Sequence, residues 1–394
     1  MTNPEFGTYP RGFAASASFA WPLVRADKLV ELSYGKGLVA TKRRKGSIPV
    51  YGTNGICGWH DEPLFEGPGV ILGRKGMGPL GVEWSSSDYW VIDTAYSVSP
   101  LSEELDLRYF YYLVKYIGLN HLKDGTSNPS LSRETFGTQL LPFPPLPVQQ
   151  AIAQVLTAVD DKIESNTAVI RPLRDLARAT LQRAARATTH SVGGVADVRK
   201  GLSYTSKGLS HSGMPMVNLA NAENFGWLKR SGFKYYTGDY KPRHIAPPGS
   251  LLISGVEQTW RHEIIGWPML LPDDIGPALF SQDVFLIDFK PEHAWLRLPL
   301  WSHLYTSDAR ARLESMVYGT TVARFPTEAL TGLVFPAPPL DHPALGAADA
   351  LVSRAWAVER ETAALVALRE ALLPPLLSGE LRVGDAEALV GEAV

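Results

Sequence analysis

The chain has 394 residues, 38 Lys+Arg against 40 Asp+Glu for a formal charge of −2, 45% hydrophobic residues, 35 Gly, 30 Pro and a single Cys. One thiol, Cys57, excludes an internal disulfide framework and a cysteine zinc knuckle, and no run of about eighteen apolar residues exists to cross a membrane. The opening MTNPEFGTYPRGFAASASFAWP lacks the basic-then-apolar order of a signal peptide, so a cytoplasmic protein of two or three domains is expected.

Residues 1–20 read as an N-terminal extension. Residues 20–147 are rich in Gly, Pro, Trp and Tyr, with short β-type runs GVILGR (69–74) and YWVIDTAYSVS (89–99) punctuated by turn signals. A helix over 107–116, with RYFYYLVKY at its centre, is expected to pack on the resulting sheet. From 148 to about 188 the composition flips: Gly is absent until Gly193, and Ile152, Leu156, Val159, Ile163, Asn166, Ile170, Leu173 and Ala177 recur at steps of four and three. That is the heptad seam of a coiled coil. Asn166 fits either a register-setting polar position in that seam or a slightly rotated solvent face. Pro172 is an awkward feature inside a helix, because it removes a hydrogen bond.

Residues 191–340 repeat the first pattern, with SLLISG (250–255) and DVFLIDF (283–289) as strands. Residues 341–378 repeat the second, with Leu351, Ala355, Val358, Thr362, Leu365, Leu368 and Leu372 in the seam before Pro374-Pro375 stops the helix; 379–394 is a tail. The duplication is explicit at one place. GTSNPSLSRETFGTQLLPFPPL (125–146) and GTTVARFPTEALTGLVFPAPPL (319–340) both open Gly-Thr and both close Pro-Pro-Leu, without a gap between them. A fainter echo sets Lys36-Gly37-Leu38 against Lys200-Gly201-Leu202. The expected fold is α+β: two similar mixed, sheet-rich domains, related by an internal pseudo-twofold repeat and separated by two long helices that form an antiparallel coiled coil.

The strings PPLPVQQAIAQVLTAVDDKIESN (144–166), preceded by GTSNPSLSR, and LREALLPPLLSGELRV (368–383) resemble the specificity subunit of type I restriction-modification enzymes, in the right order and in duplicate from about Trp21 to Val383. The resemblance implies two target recognition domains, each reading one half of a bipartite double-stranded DNA site, and two conserved helices that hold them apart and dock DNA methyltransferase and restriction (translocase) subunits. It implies a non-catalytic chain with no cofactor of its own, S-adenosylmethionine, ATP and Mg²⁺ being bound by the partners. The second copy, PPLDHPALGAADALVSRAW (338–356), lacks the Gln-Gln and Asp-Asp pairs of the first, which puts equal partner affinity of the two helices in doubt. Physical reasoning points the same way, since a duplicated domain on a stiff spacer suits a ligand with two sites at fixed separation, as on duplex DNA. Two domains of unlike sequence imply an asymmetric site.

The charge balance permits this. Residues 341–394 carry nine acids and four bases, leaving the rest of the chain at plus three. Candidate DNA contacts lie in polar, Gly-flanked loops: the basic run Lys42, Arg43, Arg44 and Lys45; Tyr51, Thr53 and Asn54; Arg74 and Lys75; Ser127 and Asn128 in the repeated Gly-Thr loop. The second domain offers Asn218, Asn221, Lys234, Thr259, Arg261, Thr320 and Thr321. Arg is expected to read guanine and Asn adenine, while Lys neutralises phosphate.

Two catalytic patterns compete with this reading. GMGPLG (76–81) fits a dinucleotide glycine pattern, but the following VEWSSSDYW reads as strand and turn rather than the helix that would hold a pyrophosphate. Pro272-Asp273 followed by Asp288-Phe289-Lys290 has the spacing of a metal-dependent nuclease, and a nuclease built on Asp273, Asp288 and Lys290 is the alternative function. The nine histidines show no metal-ligand spacing, and no metal site is expected.

Overall fold

The computed structural model describes residues 20–185, 188–259 and 261–393; the N-terminal extension expected over 1–20 therefore lies, but for Ala20, outside the described residues. The chain forms two compact units. One comprises the residues up to Ser165 together with those from Thr362 onward, and the other runs from Asn166 to Glu361.

In the first unit the continuous apolar run Gly69–Gly73 is buried at every position, as a strand covered on both faces requires. It lies inside an antiparallel four-stranded sheet with spatial order Val30–Tyr34, Ala95–Pro100, Gly69–Gly73, Val82–Ser85. A second sheet orders Gly55–His60, Ile48–Gly52 and Trp90–Val91, the last pair parallel. A ribbon joins Leu23–Arg25 to Leu140–Pro142. The helix Leu107–Ile117, capped by the Asp106 carboxylate accepting from the Tyr109 N–H at 2.8 Å, buries Tyr109, Phe110, Tyr112, Leu113 and Val114 in the core.

The second unit repeats this topology. Its four-stranded sheet runs Ala196–Lys200, Val284–Phe289, Leu251–Ser254, Pro268–Leu270, again antiparallel throughout. Its other sheet has five strands, with Met214–Val217 antiparallel to Lys234–Tyr236 and parallel to Ala278–Phe280, as Ile48–Gly52 is to its neighbours. The ribbon recurs as Thr188–Ser191 with Val334–Ala337. The upstream echo needs correcting: the glycine equivalent to Gly201 is Gly35, not Gly37. A Cβ on Gly35 would lie 2.2 Å from the Ile92 carbonyl oxygen and one on Gly201 2.2 Å from that of Phe280, whereas Gly37 has room. Both glycines are demanded by the same close passage of two backbones.

The central helix runs Leu146–Ala184 and the returning helix Pro343–Ser378. Each is shared between the units, because its two halves bury their apolar faces in different cores. In the first unit Ile152, Leu156 and Val159 join Leu365, Leu372, Leu376 and Leu377. In the second, Ala177 and Leu181 join Ala348, Val352, Ala355 and Trp356, with Leu173 and Leu351 at the margin. Ile163 and Ile170 are half-buried and Val358 is buried. Asn166 is 7% exposed, with its amide nitrogen buried and without a hydrogen-bond partner, which places it in the seam and removes the solvent-face alternative. Pro172 is exposed and the helix continues through it.

Pro374-Pro375 does not stop the returning helix, contrary to expectation. One more turn follows, to Ser378, with Leu376 and Leu377 fully buried; that burial offsets the lost backbone donors, and Gly379 at φ +84° ends the helix instead. Within the stretch read as a tail, Val383–Ala393 is a further helix that buries Ala386 and Val390.

Candidate nucleic-acid interface

The duplicated Gly-Thr segments occupy equivalent places, each against the loop that follows the middle strand of the four-stranded sheet. In the first unit Lys75 bridges Ser130 and the Leu131 N–H donates to the Arg74 carbonyl at 2.8 Å. In the second, Val256–Glu257 pairs with Ala323–Arg324 and the Phe325 N–H donates to the Gly255 carbonyl at 3.4 Å. Leu131 and Phe325 hold the same place in the two aligned strings. Each unit thus sets two loops side by side: residues 74–81 with 124–130, and 255–259 with 318–324.

In the first unit this brings Arg74, Lys75, Ser127 and Asn128 together, and Thr53 and Asn54 join them. The Thr53 hydroxyl donates to the Lys75 carbonyl at 2.7 Å and the Gly81 N–H to the Thr53 carbonyl at 2.8 Å. GMGPLG is this close-packed loop: a Cβ on Gly81 would come within 3.0 Å of Asn54, and the strand Val82–Ser85 follows, with no helix to receive a phosphate. Ser127, Asn128 and Asn54 are exposed. Arg74 is partly committed, donating to the Asp93 carbonyl at 3.0 Å and lying 4.7 Å over the Tyr34 ring.

The basic run sits elsewhere, on the Gly55–His60 strand and the residues after it. Arg43 donates to the carbonyls of Leu38 and Cys57. Arg44 pairs with Asp61 and Glu62 at 2.7 Å each, and its guanidinium holds the Asp61 carboxyl below the usual range. Lys42 and Lys45 are exposed, with no ion pair among the described residues.

The loops of the second unit carry Thr259, Arg261, Thr320 and Thr321, all exposed, and Thr259 lines a cavity of about 580 Å³ with Tyr204, Lys229 and Lys234. Lys234 donates to the Tyr204 hydroxyl at 3.0 Å. Arg261 lies 4.0 Å from Glu263 with most of its side chain in solvent.

Three expected base readers belong to the fold instead. Tyr51 is 5% exposed and its hydroxyl donates to the Trp84 carbonyl, while burial raises the phenol's pKa. Asn218 and Asn221 are buried and tie up the 218–232 connection: Asn221 accepts from the Asn218 N–H and donates to the Lys229 carbonyl, and Asn218 donates to the Gly232 carbonyl. Asn and Tyr in turns serve buried backbone as readily as a ligand.

The nuclease triplet is not assembled. Asp273 pairs with Arg360, Asp288 with Arg199, and Lys290 donates to the Gly194 carbonyl. Among the described residues no group of three His, Cys, Asp or Glu could hold a metal ion, and no helix is long and apolar enough to cross a membrane.

Two residues that sequence reading passed over stand out, Lys123 and Glu257. The Lys123 ammonium donates to the carbonyls of Gly76 and Gly78. The Glu257 carboxylate collects donors from the loop that follows it. Nothing local in the sequence marks Lys123, whose partners lie more than forty positions away, whereas the Glu257 donors lie two to eight positions on.

Residues 21–173 match the family described as the type I restriction modification DNA specificity domain. A Haemophilus influenzae protein named as a type I restriction enzyme specificity subunit is 25% identical over 127 residues, a stretch that covers 32% of this chain and 33% of that relative. The solved type I restriction-modification S subunit from M. genitalium superposes with a TM-score of 0.61 over 94% of this chain and 99% of that one, at 16% identity, a likeness of fold. The first domain thus matches that DNA specificity domain, and the duplicated architecture shares its fold with a solved S subunit over nearly the full length.

Proposed function

We propose that this chain is the DNA-reading subunit of a type I restriction-modification complex and that each of its two loop clusters reads one half of an asymmetric bipartite site. The observation that carries this is the recurrence of one scaffold, with the same pair of loops apposed in both units and unlike residues displayed on them. Short polar and basic side chains on loops held by a sheet suit base-edge hydrogen bonding, with neighbouring lysines neutralising phosphate. The two long helices act as the spacer and as the docking surface for methyltransferase and restriction subunits. The chain performs no chemistry itself. S-adenosylmethionine, ATP and Mg²⁺ belong to those partners, and the complex works in the cytoplasm.

The test is binding of the chain, assembled with its methyltransferase subunits, to a random duplex library at several salt concentrations. Two enriched half-motifs at fixed spacing, with log affinity falling linearly in log salt, are expected. Salt-dependent binding without any enriched motif would refute sequence reading. The same protein incubated alone with duplex and Mg²⁺ should leave the DNA intact.

A further inference from the structure

The two reading loops are held by clamps of opposite charge. In the second unit Glu257 is 2% exposed, and its carboxylate accepts from the backbone N–H groups of Glu263 at 3.1 Å, Ile264 at 2.9 Å and Ile265 at 3.0 Å, and from the Thr259 hydroxyl. Burial works to raise the carboxyl's pKa; the hydrogen bonds from Thr259 and from this backbone outweigh it and leave the group below its ordinary range. Every one of these donors lies in 259–265. One buried charge therefore gathers Thr259 and the backbone of 263–265 about itself, and His262 beside them adopts φ +53°. A buried carboxylate is tolerated only with donors arranged about it, so the loop shape and the charge stabilise each other.

In the first unit the equivalent loop holds glycines and no carboxylate. Its carbonyls turn inward, and the Lys123 ammonium takes those of Gly76 at 3.1 Å and Gly78 at 2.9 Å. Lys123 directly precedes the Gly-Thr loop and Glu257 pairs with the end of its counterpart, so each clamp joins the two loops of its own cluster.

Resting on the DNA-reading function proposed above, we infer that Lys123 and Glu257 are positioning residues for base readout: each fixes the shape of one reading loop and through it the sequence preference of one half-site. Both act through the loops: Lys123 spends two of its three donors on carbonyls and Glu257 is sealed inside its loop.

The experiment is library selection with the complex carrying Lys123→Met or Glu257→Gln, beside the wild type. Glu257→Gln replaces one acceptor oxygen by a donor, and Lys123→Met keeps the stem without the charge. Each variant should blur one half-motif, with base preference there falling on the order of tenfold, the worth of one good base contact, while the other half-motif is retained. Lys123→Arg, which still donates to carbonyls, should restore the motif blurred by Lys123→Met. Half-motifs left intact by both variants, or eroded equally, would overturn the assignment. A Glu257→Gln protein that fails to fold would overturn it for that loop, by showing that the carboxylate supports the core, and Lys123→Met would still decide the other. A wild-type complex that enriches no motif sinks the DNA-reading function itself, and the clamps with it.

Discussion

Of the two adjacent glutamines near the start of the central helix, one faces the core and one faces water. Gln149 is fully buried: its Oε1 accepts from the Asp106 N–H at 2.9 Å, and its Nε2 donates to the carbonyls of Glu104 at 3.0 Å and Pro144 at 2.8 Å. Gln150 is exposed. Gln149→Ala would leave three backbone groups without partners, two of them partly buried and one buried. At about 1 kcal/mol for each partly buried group and about 2 for the buried one, the first unit should lose about 4 kcal/mol. Gln150→Ala should stay within about 0.5 kcal/mol. Gln149→Glu should be nearly as harmful as Gln149→Ala, since a carboxylate would face two carbonyls. Urea denaturation followed by tryptophan fluorescence measures this, with the transition of the first unit shifting and that of the second unmoved. Equal effects of Gln149→Ala and Gln150→Ala would refute the claim that Gln149, and not Gln150, fastens helix to domain.

Glu359, on the returning helix in the second unit, is held above its ordinary pKa by burial and accepts from Trp227 Nε1 at 2.6 Å and Arg230 at 3.2 Å; Glu359→Ala should cost that unit about 2 kcal/mol in urea, since Arg230 keeps Asp274. His190, His244 and His303 are pushed below the ordinary histidine value chiefly by burial, so the unfolded chain takes up their protons first. Stability should be fully present above about pH 6.5 and decline as pH falls from there, and His303→Gln should flatten a plot of Tm against pH; a Tm that rises on acidification would contradict this. Lys42→Ala with Lys45→Ala should lower the salt slope of DNA binding by about 0.9 for each phosphate no longer neutralised, with the selected motif unchanged; a changed motif would mark these lysines as base readers. Removing one heptad from each long helix, about 10 Å, should shorten the preferred gap between half-motifs by about three base pairs, and a preserved gap would end the spacer idea.

The seam and the duplication were legible because both are periodic. Steps of four and three put Ile152, Leu156 and Val159 on one helical face wherever the chain begins, and the burial follows. The paired Gly-Thr strings fell on equivalent loops because the strand order beneath them is conserved between the units. Side-chain roles were less legible, since residue type does not fix orientation. Asn218 and Asn221 carry base-reading chemistry yet face their own backbone. Pro374-Pro375 reads as a stop, but the burial of Leu376 and Leu377 decides otherwise, a tertiary effect that no local signal carries. Asp160 and Asp161 divide as the glutamines do: Asp160 accepts from Tyr112 at 2.8 Å and Arg369 at 2.6 Å, while Asp161 is exposed. The motif that carries the family resemblance is therefore half an internal fastening, and its absence from the second copy concerns how that helix is anchored as much as what it docks.

That substitution of anchors shows what the duplicated scaffold conserves. In the second unit the returning helix is tied down by Glu359 to Trp227 and Arg230 and by Arg360 to Asp273 and Asp274, side chains with no counterpart in the first string. Backbone topology and the positions of the loops persist, while the polar groups that secure them are replaced wholesale, down to a carboxylate where the first unit uses an ammonium. Hydrogen-bonded sheets tolerate this because their order is set by main-chain pairing and apolar burial, which many sequences satisfy. The loops hang from strand ends and contribute little to the core, so their length and chemistry can change without unfolding the domain. On the DNA-reading function proposed above, such a chain can alter one half-site at a time, and its two halves need share nothing but the place from which each reaches out.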